Sequence, residues 1–394
     1  MGSIAIYNGK VITPLGILDG ATVLIEHGKI QSIVSGDRSA TADLRIDAQG
    51  NYVSPGFIDI HVHGGGGHDF MDNTAEAFTG IAGMHAKHGT TAMCPTTLTS
   101  EVPDLLRTLE VYDEVMATNY SGACFIGLHI EGPYLSMNQR GAQDPRYIRD
   151  FDEKEYKAVV AKSRSIRRWS AAPERPGSSA FAKYMVANNI LPAIAHSDAT
   201  YDEVMQALQD GYTHVTHFYS CMSGVTRRNA MRFAGIIEST YLHDELTTEI
   251  IVDGVHLPPP LLKLIYKIKG ADKVALITDA MRAAGMPPGE SILGSRQNGL
   301  PVIVEDGVAK LTDRSSFAGS VATADMLVRN MISLAGVSLL EAVKMMTATP
   351  ALIMGVANSK GTLERGKDAD LVIFDSNINI QATIVGGKPV HQLL

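Results

Sequence analysis

The chain has 394 residues, 45% of them apolar, enough to bury the core of one large α/β unit with a smaller unit beside it. Its net charge of −8 gives no reason to expect nucleic acid or an anionic membrane as a partner, so a small anionic substrate would need a local basic pocket. Cys94, Cys124 and Cys221 are odd in number and widely spaced, unlike a disulfide framework. MGSIAIYNGK lacks the apolar centre of a signal peptide, and no run approaches the roughly 18 apolar residues of a membrane span, so a cytoplasmic location is expected.

The first fifty residues read as short strands and turns, IAIYNGKVITP and ATVLIEHGKIQSIV, followed by the polar stretch SGDRSATADLRIDAQGN. Next comes PGFIDIHVHGGGG, residues 55–67. Side chains alternate along a strand, so Phe57, Asp59, His61 and His63 share one face and Ile58, Ile60 and Val62 the other. Two imidazoles on one face at a strand end can bind one metal ion, or simply form a hydrogen-bonded pair.

From there strands and helices alternate, the pattern of a parallel sheet with helical crossovers. ACFIGLHIEGPYL places Phe125, Gly127, His129 and Glu131 on one face, with Glu131 just before a Gly-Pro break. ILPAIAHSDA is a strand that stops at His196. Thr200 and Glu203 form a capping box for the helix TYDEVMQALQDG, which carries Val204, Ala207 and Leu208 on one face and stops at Gly211. YTHVTHF ends at His217, and KVALITDAM ends at Asp279. Ser338 and Glu341 cap SLLEAVKMMTAT, which Pro350 is expected to close. Residues 361–394 return to the texture of the first fifty, so the two ends are expected to build one small β domain, 1–53 with 355–394, around a catalytic domain over 54–354.

About three hundred residues of alternating units suit a (β/α)₈ barrel. A doubly wound sheet is the alternative, but no glycine-rich dinucleotide fingerprint follows an early strand. A barrel carries its active site at the C-terminal ends of its strands. His61, His63, Glu131, His196, His217 and Asp279 all stand there. Singly, Glu131 could cap a turn, His196 could bond the next helix, His217 could be a satisfied core histidine and Asp279 an N-cap. Jointly, independent structural needs would not place metal-ligand types at five strand ends.

In chain order, PGFIDIHVHG, GLHIEGPYL, AHSDA, THFYSCM, VDGVHL, LITDAM and SFAGS resemble the motifs of the N-acetylglucosamine-6-phosphate deacetylases of the amidohydrolase superfamily. GTLERGKDADLVIFD resembles that superfamily's closing stretch, so the resemblance spans nearly the whole chain. It implies a (β/α)₈ TIM barrel with a small β-sandwich formed by both termini. It further implies that Glu131, His196 and His217 hold one divalent ion, and that His61 and His63, with Glu131 bridging and Asp279 nearby, could hold a second, so one or two ions are expected. Zn²⁺ is the first expectation, with Fe²⁺, Mn²⁺ or Co²⁺ as alternatives. By the same resemblance Asp279 is the general base and acid, and His256 helps polarise the acetamide carbonyl. A divalent ion lowers the pKa of water to about 7 and polarises a carbonyl. A carboxylate can take the water's proton and deliver it to the departing amine. The implied reaction converts N-acetylglucosamine 6-phosphate into glucosamine 6-phosphate and acetate.

Two segments depart from the family. Ser220, Cys221 and Met222 replace an Asn-Ala-Met run that helps hold the sugar phosphate, and Gln143 replaces a histidine that contacts substrate. Arg227 and Arg228 fall where the family places an arginine that reaches the phosphate in a neighbouring subunit, which implies a homodimer. The departures leave open another N-acetylhexosamine derivative, a different epimer or an unphosphorylated sugar. A non-catalytic binding protein is a third reading, against which the complete ligand set argues.

Overall fold

Eight short parallel strands surround the molecule's centre: β1 Phe57–Val62, β2 Thr90–Thr97, β3 Leu128–Glu131, β4 Ile166–Ala171, β5 Leu191–Ile194, β6 His214–Val215, β7 Thr247–Ile251 and β8 Val274–Ile277. Each is buried almost throughout, as a parallel sheet covered on both faces requires. They pair in chain order. The ring closes between the first and last strands, where Asp279 N–H donates to His61 C=O and His63 N–H to Ala280 C=O, both at 2.9 Å. In this computed structural model the described residues are 2–39 and 42–394. Met1, and Ala40 and Thr41 of the polar stretch, lie outside them.

The crossover helices lie outside the ring. Helix Tyr201–Asp210 starts where Thr200 N–H donates to the Glu203 carboxylate at 2.7 Å and stops at Gly211, whose φ of 112° is left-handed. The second capped helix ends earlier than its pattern suggests. It runs Leu339–Met346, breaks at Thr347 (φ −135°, ψ −79°), and Pro350 falls inside a new helix, Ala348–Ile353. Pro350 is tolerated because N–H groups of a first helical turn have no partner within the helix.

The two chain ends form one eight-stranded sheet. Tyr52–Pro55 runs antiparallel to Leu371–Phe374 and joins them. Part of the polar stretch is itself a strand, Leu44–Asp47, parallel to Ile4–Thr13, because Ile46 reaches the sheet's apolar core with Ile6, Val23 and Ile373. After β8 the chain inserts a four-stranded antiparallel sheet over residues 289–320, whose turn signals Asn298-Gly299 and Asp306-Gly307 the barrel reading left out of account. No helix among the described residues is long and apolar enough to cross a membrane.

His85 braces the turn after β1. It is fully buried, and its Nε2–H donates to Gly64 C=O at 2.9 Å while Nδ1 meets no partner. Burial pushes its pKa down from 6.5 to about 4. The unfolded chain therefore takes up a proton below pH 6.5 that the folded chain refuses until about pH 4. Stability from this group is complete above that range and falls as the pH drops through it, by about 3 kcal/mol. His85→Gln, which keeps a donor and cannot titrate, should flatten urea-unfolding stability between pH 6.5 and 4. An unchanged slope would show that His85 is not responsible.

Candidate metal centre

Alternation along β1 carries His61 and His63 to the mouth of the barrel, where their Nε2 atoms lie 3.2 Å apart. The chain must then turn sharply. A Cβ on Gly64 would sit 2.3 Å from His68 C=O, and Gly66 has a left-handed φ of 62°. Asp279, just beyond β8, brings Oδ1 to 3.1 Å from His63 Nε2 and 3.5 Å from His61 Nε2. Glu131, the last residue of β3, brings Oε1 to 3.0 Å from His217 Nε2 and 3.3 Å from His196 Nε2. The two imidazoles are 3.1 Å apart. Glu131 also reaches the first set, with Oε1 3.6 Å from His61 and Oε2 3.5 Å from His63. The six residues thus form two buried triads, His61–His63–Asp279 and Glu131–His196–His217, with Glu131 between them.

The donor chemistry fits cations. His61 Nδ1 faces Glu249 Oε1 at 2.8 Å, His63 Nδ1 faces Thr96 C=O at 3.2 Å, and His196 Nδ1 faces Gln139 C=O at 2.7 Å. These oxygens only accept, so in each neutral ring the proton sits on Nδ1 and a lone pair on Nε2 points inward. Three lone pairs and two carboxylates then converge. Burial alone would raise the pKa of Glu131, yet His61 beside it, with His196 and His217, holds it well below the usual carboxylate range. For Asp279 burial is likewise outweighed by His61 and His63, and its pKa is lowered. Three of the six adopt left-handed backbone: His196 (φ 46°), His217 (27°) and Asp279 (47°). Such residues cost on the order of 1–3 kcal/mol each and persist where a site demands them.

A cavity of about 470 Å³ opens onto the centre. Gln143, Ser220, Cys221 and His256 all line it. Gln143, however, spends its amide on protein: Nε2 donates to Glu131 Oε2 at 2.7 Å, and Oε1 accepts from Thr99 N–H at 2.9 Å. The Ser220 N–H is also taken, by His217 C=O at 2.9 Å. His256 is anchored through Nδ1 to Asp253 Oδ2 at 2.7 Å and packs on Phe317 with ring centroids 4.7 Å apart. Arg227 and Arg228 are not in this cavity. They lie exposed on the hairpin Thr226–Arg228/Met231–Phe233, with the Arg228 guanidinium 5.7 Å from the Phe233 ring. The cations that do line it, Lys310 and Arg314, come from the inserted sheet and its loop and went unnoticed in the sequence. A larger cavity of about 710 Å³ lies behind the wall Leu98, Ala142, Gln143 and Leu293 and touches none of the six ligand-type residues. Arg168 and Glu249, beneath the centre, were also missed; the available signal was charge inside the strands IRRWSA and TTEII.

The amidohydrolase family model matches residues 52–390. The chain is 34% identical over 387 residues to an N-acetylglucosamine-6-phosphate deacetylase of Lysinibacillus sphaericus, covering 98% of this chain and 97% of that protein. It is 30% identical over 380 residues to an N-acetylgalactosamine-6-phosphate deacetylase of Escherichia coli O157:H7, covering 96% and 97%. Its structure matches that of N-acetylglucosamine-6-phosphate deacetylase from Pasteurella multocida with a TM-score of 0.91 at 30% identity, over 98% and 99% of the two chains. The strand-end triads, the barrel that assembles them and these likenesses together place the chain in the amidohydrolase family, within its N-acetylglucosamine-6-phosphate deacetylase branch.

Proposed function

We propose that the chain hydrolyses the acetamide of N-acetylglucosamine 6-phosphate to acetate and glucosamine 6-phosphate. The observation that carries this reading is the pair of triads with Glu131 between them at the floor of a 470 Å³ cavity, in a chain with N-acetylglucosamine-6-phosphate deacetylases among its relatives. Glu131, His196 and His217 would hold one divalent ion, and His61, His63 and Asp279, with Glu131 between, a second; zinc suits the nitrogen and oxygen donors. Bound there, a divalent ion supplies Lewis acidity toward water and the carbonyl oxygen.

The chain's own residues do the rest. Asp279 faces the cavity, takes the attacking water's proton and delivers it to the departing nitrogen, which could not leave as an amide anion. His256, held by Asp253, presents its other ring edge to the acetamide oxygen. Gln143 steadies Glu131. Lys310 and Arg314 counter the phosphate from within the subunit, and Arg228 does so from the neighbouring subunit of a homodimer. The scheme takes residues 1–53 and 355–394 as a small β-sandwich domain and 54–354 as the catalytic domain; the terminal sheet's own apolar core supports this. The three unpaired cysteines agree with a cytoplasmic location.

The Ser220–Cys221 pair and the N-acetylgalactosamine-6-phosphate relative favour one second reading, the galacto epimer. Acetate release from free and 6-phosphorylated N-acetylglucosamine and N-acetylgalactosamine decides. N-acetylglucosamine 6-phosphate should give the highest kcat/KM. Faster turnover of the galacto phosphate would install the second reading, and equal rates for free and phosphorylated sugars would remove the phosphate from the proposal.

A further inference from the structure

Inside the barrel, below the metal centre, lies an ion pair that the scheme above does not use. Arg168 on β4 and Glu249 on β7 are both fully buried. The guanidinium grips both carboxylate oxygens, Nη1 to Oε2 at 2.5 Å and Nη2 to Oε1 at 2.8 Å. A buried ion pair rarely stabilises a core better than apolar residues of the same volume, so this one calls for another role.

Glu249 touches both triads. Its Oε1 accepts from His61 Nδ1 at 2.8 Å and from the His217 backbone N–H at 3.3 Å. Its Oε2 faces His214 Nε2 at 3.2 Å, and its backbone C=O accepts from Phe218 N–H at 2.8 Å. His217 has no partner at Nδ1 and a left-handed backbone, and the Phe218 bond to the Glu249 backbone, which a side-chain substitution leaves in place, holds that turn. Arg168 in turn fixes the carboxylate, and Thr216 Oγ1 accepts from its Nη2 at 2.7 Å.

We propose that Glu249, clamped by Arg168, is a positioning residue that sets the tautomer and aim of His61 and thereby makes the His61–His63–Asp279 triad able to hold its ion. The inference rests on the two-ion reading above. An acceptor behind Nδ1 leaves the His61 Nε2 lone pair free for a cation. In Glu249→Leu no acceptor remains behind Nδ1, so the ring proton is free to move to Nε2, where it blocks ligation.

The test is metal content and affinity. Wild type, Glu249→Leu and the double variant Arg168→Met/Glu249→Leu are loaded with Zn²⁺, checked for folding by circular dichroism, and measured for zinc per chain during chelator titration. Wild type should hold two ions. Both variants should keep one ion at wild-type affinity and bind the second about 10–100-fold more weakly, the usual effect of losing an outer partner of a metal ligand. KM should change little while kcat falls. Should Glu249→Leu fail to fold with Arg168 unpaired, the double variant, which removes both charges of the pair, carries the test. Variants that hold two ions at wild-type affinity, or lose both in parallel, overturn the inference alone. A wild type that holds only one ion overturns the two-ion reading, and the inference with it.

Discussion

Glu131→Gln should strip both ions from the centre and abolish acetate release. The substitution changes little volume, but it replaces a carboxylate that reaches four imidazoles, between 3.0 and 3.6 Å away, with an amide that brings two N–H donors among their lone pairs. Loss of a mere outer partner costs about 10–100-fold in metal affinity or activity. A carboxylate that faces the imidazoles of both triads should count for more. His196→Asn should act more narrowly, releasing the ion of its own triad first. Elemental analysis alongside an acetate assay checks both variants. Glu131→Gln protein with a full complement of metal would show that Glu131 is not the shared ligand.

Asp279→Asn should separate chemistry from binding. Asparagine preserves shape and one oxygen toward His63, but it cannot receive the water's proton. Losing a general base lowers rates by about 10²–10⁴-fold. We expect kcat to fall by that factor, KM to stay near wild type, and the ion of Glu131, His196 and His217 to remain bound. Steady-state kinetics with zinc analysis of the same preparation provides the check. Turnover within a few-fold of wild type would return the proton-transfer role to another group, with His256 next in line.

The strand-end residues were legible because two simple regularities act together. Alternation of side chains forces His61 and His63 onto one face, and a parallel barrel gathers every strand end at one mouth. What was not legible depends on pairing between distant segments. Nothing local tells that Gln143 turns to Glu131, twelve residues earlier, rather than to solvent. Arg168 and Glu249 meet across 81 residues, and each alone looks like a charged intruder in an apolar strand. Ser338 announced its helix correctly, but the break at Thr347 came from backbone geometry that no residue type there advertises. Lys310 and Arg314 escaped notice because they sit on an insertion that barrel arithmetic has no place for.

The ring of strands has a seam, where the first strand meets the last. A hydrogen bond across it, Thr278 N–H to Asp59, joins residues 219 apart in the chain. His61 and His63 lie on one side of that seam and Asp279 on the other. A cation gripped by all three is therefore a fastener as well as a reagent: it ties the chain into a loop whose closure the unfolded polymer strongly resists. Each tenfold rise of free ion above its dissociation constant adds about 1.4 kcal/mol to the folded state. The same ion that would activate water would also keep the barrel shut, and a cell short of metal would meet a looser protein as well as a slower one.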